Sequence, residues 1–272
     1  MEKLEFILLV FEQSSLEAWA YTVSGFVVGA IVGMTGVGGG SLMTPLLVLM
    51  FGVSPTTAVG TDLLYAAITK SGGAWVHAKR GGVDWRLVRL LATGSIPASL
   101  ATIGAIHLFA LDTEALGFVI THALGAALIL TALSIVFRDN IRLWADRRLG
   151  FGTTGAPDYW VVITGATIGL LVTISSVGAG AVGVTALMLL APALATSRIV
   201  GSDIAHAVPL TLVAGLGHAS TGSVDWMLLA SLIVGSLPGI WLGSHISHRL
   251  PERALRGVLA TLLVLIGGKL AL

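Results

Sequence analysis

Long apolar stretches alternate with short polar segments along the whole chain. The apolar stretches cover residues 19–51, 56–76, 87–108 and 115–137, and then residues 160–190, 197–219, 227–246 and 254–272. Since an α-helix needs about 20 apolar residues to cross a bilayer, the pattern predicts an all-α polytopic membrane protein. The polar segment 138–158 separates two sets of four stretches, so we expect two transmembrane repeats, residues 1–137 and 159–272, joined by a linker loop.

The first apolar stretch of each half is too long for a single span. At about 1.5 Å per residue, residues 19–51 would form a helix of about 50 Å, whereas the hydrocarbon core measures about 30 Å. Glycine-rich sequence interrupts both stretches, at residues 36–40 (the first break) and 176–180 (the second break). Because each glycine costs about 1 kcal/mol inside a helix, we expect a hairpin of two helical arms in each half.

The two halves repeat one pattern. Residues Val59-Gly60-Thr61-Asp62 return 141 positions later as Val200-Gly201-Ser202-Asp203. The same offset relates His77 to His218, Asp84-Trp85 to Asp225-Trp226 and Gly94-Ser95 to Gly235-Ser236. An offset held over this length indicates an internal duplication. Each Asp-Trp pair predicts an N-capping aspartate followed by an aromatic anchor at the membrane interface.

Basic residues are distributed differently in the equivalent loops. Segment 79–89 carries four basic residues, Lys79, Arg80, Arg86 and Arg89, and the equivalent residues of the second half are uncharged. Segment 249–256 carries three, Arg249, Arg253 and Arg256, whereas the equivalent segment of the first half, 108–115, carries only acidic charges. Since cytoplasmic loops collect Lys and Arg, we expect the halves to have inverted topology. Five crossings per half, with both termini on the non-cytoplasmic side, satisfy this expectation. Eight crossings in all would make the halves parallel and place the second basic cluster outside.

Composition supports a membrane protein and excludes several other classes. The chain is 55% hydrophobic and 11% charged, with a mean hydropathy of +0.94, so lipid is its main solvent. A net charge of +1 without a basic face gives no indication of a nucleic-acid partner. The absence of cysteine excludes disulfides and thiolate metal sites. No metal-ligand spacing or nucleotide-binding run is visible, so we expect neither metal nor cofactor.

The two breaks are candidate anion sites. A helix that begins inside the membrane has unpaired N–H groups and a partial positive charge, and glycine lets an anion approach them. The candidate substrate-binding residues are Thr35, Gly36, Gly38, Gly39, Gly40, Ser41, Ser175, Ser176, Gly178 and Gly180 in and beside the breaks, with Thr61 and Ser202 before the duplicated acids. The alternative is that these glycines only allow close helix packing.

Two duplicated acids, Asp62 and Asp203, are candidate proton-coupling residues. A carboxylate inside a membrane helix needs a partner or a proton, and two ionised acids would repel an anion, so at least one should be protonated. The alternative is that each acid only caps a half-helix. Lys70 either faces the site as a counterion or extends to the interface. His206, which replaces Tyr65 one turn after Asp203, is a further proton-transfer candidate.

Several of these motifs also carry a family resemblance. Gly36-Val37-Gly38-Gly39-Gly40, Pro45, Ala58-Val59-Gly60-Thr61 and Gly82-Val83-Asp84-Trp85 follow one another, with a weaker second copy. In this order, the chain resembles the sulfite exporter TauE/SafE family of permeases over nearly its whole length. The resemblance implies transport of a small sulfur-containing anion, such as sulfite or an organosulfonate, across a bacterial inner membrane.

Three classes of function fit parts of the pattern. A secondary transporter that binds a small anion in the bilayer explains the duplication, the charge asymmetry, the breaks and the acids together. A passive anion channel explains the glycines but not the buried acids. An intramembrane aspartyl hydrolase could use two acids, but Gly60-Thr61-Asp62 lacks the Gly-x-Gly-Asp form of such proteases, so we do not expect an enzyme. The direction of transport stays open, as does assembly into a homo-oligomer.

Overall fold

The fold is all-α in the part of the chain that the structure describes. The computed structural model describes residues 2–35, 40–109, 113–138, 140–141, 143, 155–246 and 252–271. Within these ranges, the side chains of residues 2–17, 35, 113, 252–256 and 271 are not described. The described residues contain no β-strand and form ten helices of ten or more residues. This confirms the predicted helical class.

The helices fall into two sets of five. The first set is α1 (Glu2–Thr35), α2 (Gly40–Phe51), α3 (Pro55–Lys79), α4 (Trp85–Leu108) and α5 (Thr113–Val136). The second set is α6 (Asp158–Ser175), α7 (Ala181–Leu190), α8 (Thr196–Ser220), α9 (Trp226–Ile246) and α10 (Glu252–Ala271). Five of them, α4, α5, α6, α8 and α9, are long and apolar enough to cross a membrane. The chain is therefore a multi-pass membrane protein.

The aspartates of the two Asp-Trp pairs cap the helices that follow them, as the sequence predicts. Asp84 accepts hydrogen bonds through Oδ1 from the N–H groups of Arg86 and Leu87, which caps α4. Asp225 accepts the corresponding bonds from Met227 and Leu228 at the start of α9. Each cap satisfies backbone donors that the first turn of a helix leaves unpaired.

Both glycine-rich stretches fold back as hairpins. Helix α1 ends at Thr35 and α2 begins at Gly40, and the rings of Tyr21 and Phe51 meet with 4.9 Å between their centroids. At the open end of the second hairpin, Ala156 N–H donates to Leu190 O at 2.7 Å, which joins the start of α6 to the end of α7. With ten residues, α7 is about 15 Å long and spans only part of the bilayer.

Helices α3 and α8, which carry the duplicated acids, pack against each other in opposite directions. Gly60, near the start of α3, lies beside His218 and Ser223 at the end of α8, while Gly201, near the start of α8, lies beside His77 and Gly82. A side chain at either glycine would overlap the facing carbonyl oxygen. The helices are therefore antiparallel and in close contact.

Glycines also bring α1 against α9. A Cβ at Gly25, Gly29 or Gly33 would overlap the backbone of Leu232, Ser236 or Ile240 respectively. The contacts advance by four residues along both helices, so α1 and α9 run parallel. The same arrangement joins α4 to α6, where Gly165 faces Leu91 and Gly169 faces Ser95. Small residues of this kind let membrane helices approach closely.

We expect Gly94→Ala to destabilise the protein, because its methyl group would overlap the carbonyl oxygen of Val162 on α6. Overpacking of this kind costs about 1–3 kcal/mol. The melting temperature of the purified protein in detergent measures the effect. Gly104→Ala, on the same helix but with open space around its Cα, is the matched control. Equal melting temperatures for the two variants would contradict the tight packing of α4 against α6.

Candidate functional site

Asp62 lies at the junction of α3, α2 and the second break. Its side chain is fully buried. Its Oδ2 accepts hydrogen bonds from Thr44 Oγ1 at 2.5 Å and from Ser176 Oγ at 3.0 Å. Its Oδ1 is buried and has no hydrogen-bond partner among the described residues. Ser176 ends α6 in the left-handed conformation, with φ of 58°, so the carboxylate of Asp62 lies beside the turn that terminates this helix.

Lys70 reaches the same break from farther along α3. It lies eight residues after Asp62, about 12 Å along the helix axis, and is half-buried. Its Nζ donates a hydrogen bond to Ala179 O at 2.9 Å. No ion pair from Lys70 to Asp203 or Asp62 is found within the described ranges. The side chain thus turns toward the second break instead of toward the interface.

Asp203 faces the first turn of α7, directly after the second break. Its side chain is 1% exposed, and its Oδ1 has no hydrogen-bond partner in the described part of the chain. The carboxylate lies against Gly183, where a Cβ would overlap Oδ1. Absence of a side chain at residue 183 therefore makes room for the acid. The second break and the first turn of α7 are thus contacted by three charged residues: by Asp62 at residue 176, by Lys70 at residue 179 and by Asp203 at residue 183.

His206 lies one turn after Asp203 and is fully buried. Its Nε2 shares a hydrogen bond of 2.7 Å with Ser95 Oγ on α4, and its Nδ1 has no partner among the described residues. The duplication pairs His206 with Tyr65 and Ser95 with Ser236. The Tyr65 hydroxyl is buried next to Ser236 but makes no hydrogen bond within the described residues. The second repeat therefore has an imidazole, that of His206, at the position where the first repeat has the phenol of Tyr65.

Other candidate hydroxyls have backbone partners. Thr61 Oγ1 accepts from Asp225 N–H at 3.0 Å, and Ser202 Oγ accepts from Asp84 N–H at 2.7 Å. These two bonds are equivalent under the duplication, and each ties a capping aspartate to the start of the opposite acid-bearing helix. Ser175 Oγ donates to Leu171 O and accepts from Val177 N–H, which supports the turn after α6.

The two breaks are described to different extents. In the second break, Gly178 and Gly180 have φ of 124° and 147°, a conformation that favours glycine. In the first break, Gly36, Gly38 and Gly39 lie outside the described residues, as does the side chain of Thr35. Gly40 begins α2, and Ser41 is buried in its first turn. The structure therefore describes the contacts of charged side chains at the second break.

Thr44 is a site residue that was not predicted from the sequence. This residue lies before Pro45 inside α2, is fully buried, and donates directly to Asp62. The sequence contained a signal for it, because a threonine, Thr185 on α7, also follows the second break. A buried hydroxyl repeated four or five residues after each break is consistent with a polar contact in the membrane.

The chemistry available at the second break is that of charge and proton exchange. An ammonium group, two carboxyl groups and the N-terminus of α7 come together there, in a segment whose glycines expose backbone. No group of three or more His, Asp or Glu side chains able to hold a metal ion is found among the described residues. The ammonium and the helix N-terminus attract an anion, whereas the carboxyl groups accept or release protons.

Comparison with known proteins gives a consistent set of relatives. The sequence model of the family described as sulfite exporter TauE/SafE matches residues 21–270. The probable membrane transporter protein YjnA of Bacillus subtilis is 41% identical over 257 residues, which cover 90% of this chain and 96% of the relative. The probable membrane transporter protein YdhB of the same organism is 26% identical, with 86% and 92% covered. A probable membrane transporter protein of Xylella fastidiosa is 28% identical, with 84% of each chain covered. No solved structure matches the chain.

Proposed function

Because the chain belongs to the sulfite exporter TauE/SafE family of membrane transporters, we propose that it is a proton-coupled secondary transporter of a small anion, sulfite or an organosulfonate. It is a multi-pass protein of the cell membrane and a transporter, not an enzyme. The proposal places it in a bacterial inner membrane. The observation that carries the proposal is the approach of Lys70, Asp62 and Asp203 to the second break.

The anion site that we propose lies between Lys70 and the start of α7. Among the described residues, the Lys70 ammonium donates one hydrogen bond, to Ala179 O, and an ammonium has three donors, so two could bind an oxyanion. Gly178 and Gly180 expose backbone on the approach to α7, whose N-terminus adds a partial positive charge. Sulfite and sulfonate groups are small oxyanions, the ligand type that such a site accepts.

The acids give this site its dependence on protons. With Lys70 charged and both acids ionised, one positive and two negative charges would repel an anion. One bound proton makes the three groups neutral, and a second makes them positive. In a low-dielectric interior these differences decide whether an anion can enter. The anion is therefore proposed to move together with at least one proton held by Asp62 or Asp203, and His206, one turn after Asp203 on α8, is a further candidate for proton transfer.

We propose that the two repeats have inverted topology, which would place the site between them. We propose residues 1–137 and 159–272 as the repeats and 138–158 as their linker. The antiparallel packing of α3 against its counterpart α8 supports this proposal, since parallel copies would place equivalent helices in the same direction. The exchanged bonds from Asp84 to Ser202 and from Asp225 to Thr61 support it too.

Charged residues indicate which face of the protein is cytoplasmic. One face joins the start of α4 to the starts of α6 and α8 through Arg86–Asp158, at 2.6 Å, and Arg198–Asp84, at 3.7 Å. Lys79, Arg80 and Arg89 lie at the same end of α3 and α4. The positive-inside rule favours this face as the cytoplasmic one. The hairpin of α6 and α7 would then enter the membrane from the cytoplasm.

Reconstitution in liposomes tests the proposed function. We expect the purified protein to accumulate sulfite or sulfoacetate against its gradient when a pH difference is imposed, in a screen that includes sulfate, taurine and simple carboxylates. The Asp62→Asn/Asp203→Asn double variant should lose the response to pH. Flux that only runs downhill would indicate a channel instead. Flux in the double variant that still responds to pH would reject coupling through the acids.

A further inference from the structure

The duplicated acids occupy unequal surroundings. Asp62 receives two hydroxyl hydrogen bonds on Oδ2, whereas Asp203 receives no hydrogen bond from any described residue. Thr185, the threonine that follows the second break, is buried on α7 but makes no bond to Asp203. Two residues that the duplication makes equivalent in sequence therefore have different contacts in the fold.

Asp62 connects the two hairpins. Its Oδ2 joins Thr44, on the returning arm of the first hairpin, to Ser176, at the turn of the second. Three residues after Ser176, the carbonyl of Ala179 holds the Lys70 ammonium. A chain of contacts thus runs from α2 through Asp62 to the group that would bind the anion. Both bonds use Oδ2, and Oδ1 has no hydrogen-bond partner among the described residues, so the two bonds can persist whether or not Oδ1 carries a proton.

Asp203 depends on its charged neighbours instead. Lys70 is its charged neighbour on α3, where Asp62 lies eight residues before Lys70, and His206 lies one turn along α8. Helix α7 has no titratable side chain. The titratable side chains of α4 and α6 lie near the ends of those helices: Arg86, Arg89 and His107, then Asp158 and Tyr159. An anion bound to Lys70 would weaken the attraction between Lys70 and Asp203 and so favour a proton on Asp203.

We propose that the two acids have different roles: Asp62 is a positioning residue that fixes the second break through Thr44 and Ser176, and Asp203 is the acid that exchanges the transported proton. This inference rests on the proposed function and narrows it, because the duplication alone would give both acids the same role.

Single asparagine variants test the difference. The amide oxygen in Asp62→Asn can accept both hydroxyl bonds, and its NH2 group occupies the place of the unbonded Oδ1. We expect the accumulation of sulfite or sulfoacetate by this variant, whichever the wild-type protein accumulates, to keep its response to an imposed pH difference, although its rate changes because one negative charge near Lys70 is lost. Asp203→Asn should lose the response to pH while it still exchanges the anion across the membrane. Loss of the pH response in Asp62→Asn, or its retention in Asp203→Asn, would overturn the assignment.

Removal of the hydroxyl donors gives an independent readout. We expect Thr44→Val/Ser176→Ala to raise KM for the anion about tenfold, equivalent to about 1.4 kcal/mol, with kcat and the pH profile nearly unchanged. Melting temperature and size-exclusion profile identify a variant that fails to fold. An unchanged KM in a folded variant would overturn the positioning role. If the wild-type protein itself moves the anion without responding to pH, the proposed coupling is wrong and this assignment falls with it.

Discussion

Replacing Lys70 by Met should weaken binding of the transported anion by about a hundredfold. Opposite unit charges about 5 Å apart attract by about 3 kcal/mol at an effective dielectric of about 20, and each 1.4 kcal/mol is a factor of about ten. The variant also leaves Asp62 and Asp203 without the nearby positive charge. Both changes disfavour an anion. Equilibrium binding to the purified protein, or KM for uptake into liposomes, measures the loss.

Lys79→Met is the control for this experiment. It makes the same chemical change on α3, but Lys79 is exposed at the end of the helix and lies over the ring of Trp75, with Nζ 3.8 Å from its centroid. We expect anion affinity within about twofold of wild type, since an exposed charge is screened by water and salt. A loss in Lys79→Met as large as that in Lys70→Met would contradict the proposed place of the anion.

The second large effect is expected for Gly183→Ala. The added methyl group would overlap Asp203 Oδ1, and the carboxylate must then rotate away from α7 and the second break. Displacement of a reacting group by about 1 Å can lower a rate about a hundredfold, so we expect pH-driven uptake to fall by at least about tenfold. Uptake into liposomes under an imposed pH difference gives the measurement.

Gly73→Ala provides the matched comparison. Gly73 lies on α3 and faces Ile204 on α8, where a Cβ would meet the side chain at 3.6 Å, an ordinary van der Waals distance. We therefore expect uptake near the wild-type value. Wild-type transport in a folded Gly183→Ala protein would show that Asp203 does not need its place against α7.

Periodicity and composition predicted much of this fold. The length of the first apolar stretch and its glycines predicted that helices end near residues 36 and 176, and α1 and α6 end at Thr35 and Ser175. The Asp-Trp pairs predicted the caps of α4 and α9. These features depend on neighbouring residues, whose local preferences the sequence displays directly.

Contacts between residues far apart in the chain could not be predicted in the same way. Thr44 and Ser176 lie 18 and 114 residues from Asp62, and an offset that matches two copies does not show which helices face each other. The sequence left open whether Lys70 lies toward the site or toward the interface, and its bond to Ala179 places the side chain at the second break. Its role as a counterion stays a prediction. Thr61 and Ser202 were predicted as substrate hydroxyls from their place beside the acids, and the sequence did not show that each accepts a backbone N–H from the opposite half. Their role in substrate binding stays a prediction.

The glycine-lined helix pairs have a consequence for biosynthesis. Helix α1 packs its glycine face on α9, α4 on α6, and α3 on α8, so each of these partners is translated after residue 155. Until these partners are synthesised, the glycine-lined faces of the N-terminal helices can contact only lipid or one another. The helix pairs can therefore form only after the C-terminal helices have been translated. A nascent chain stalled at the linker would lack these three helix–helix contacts.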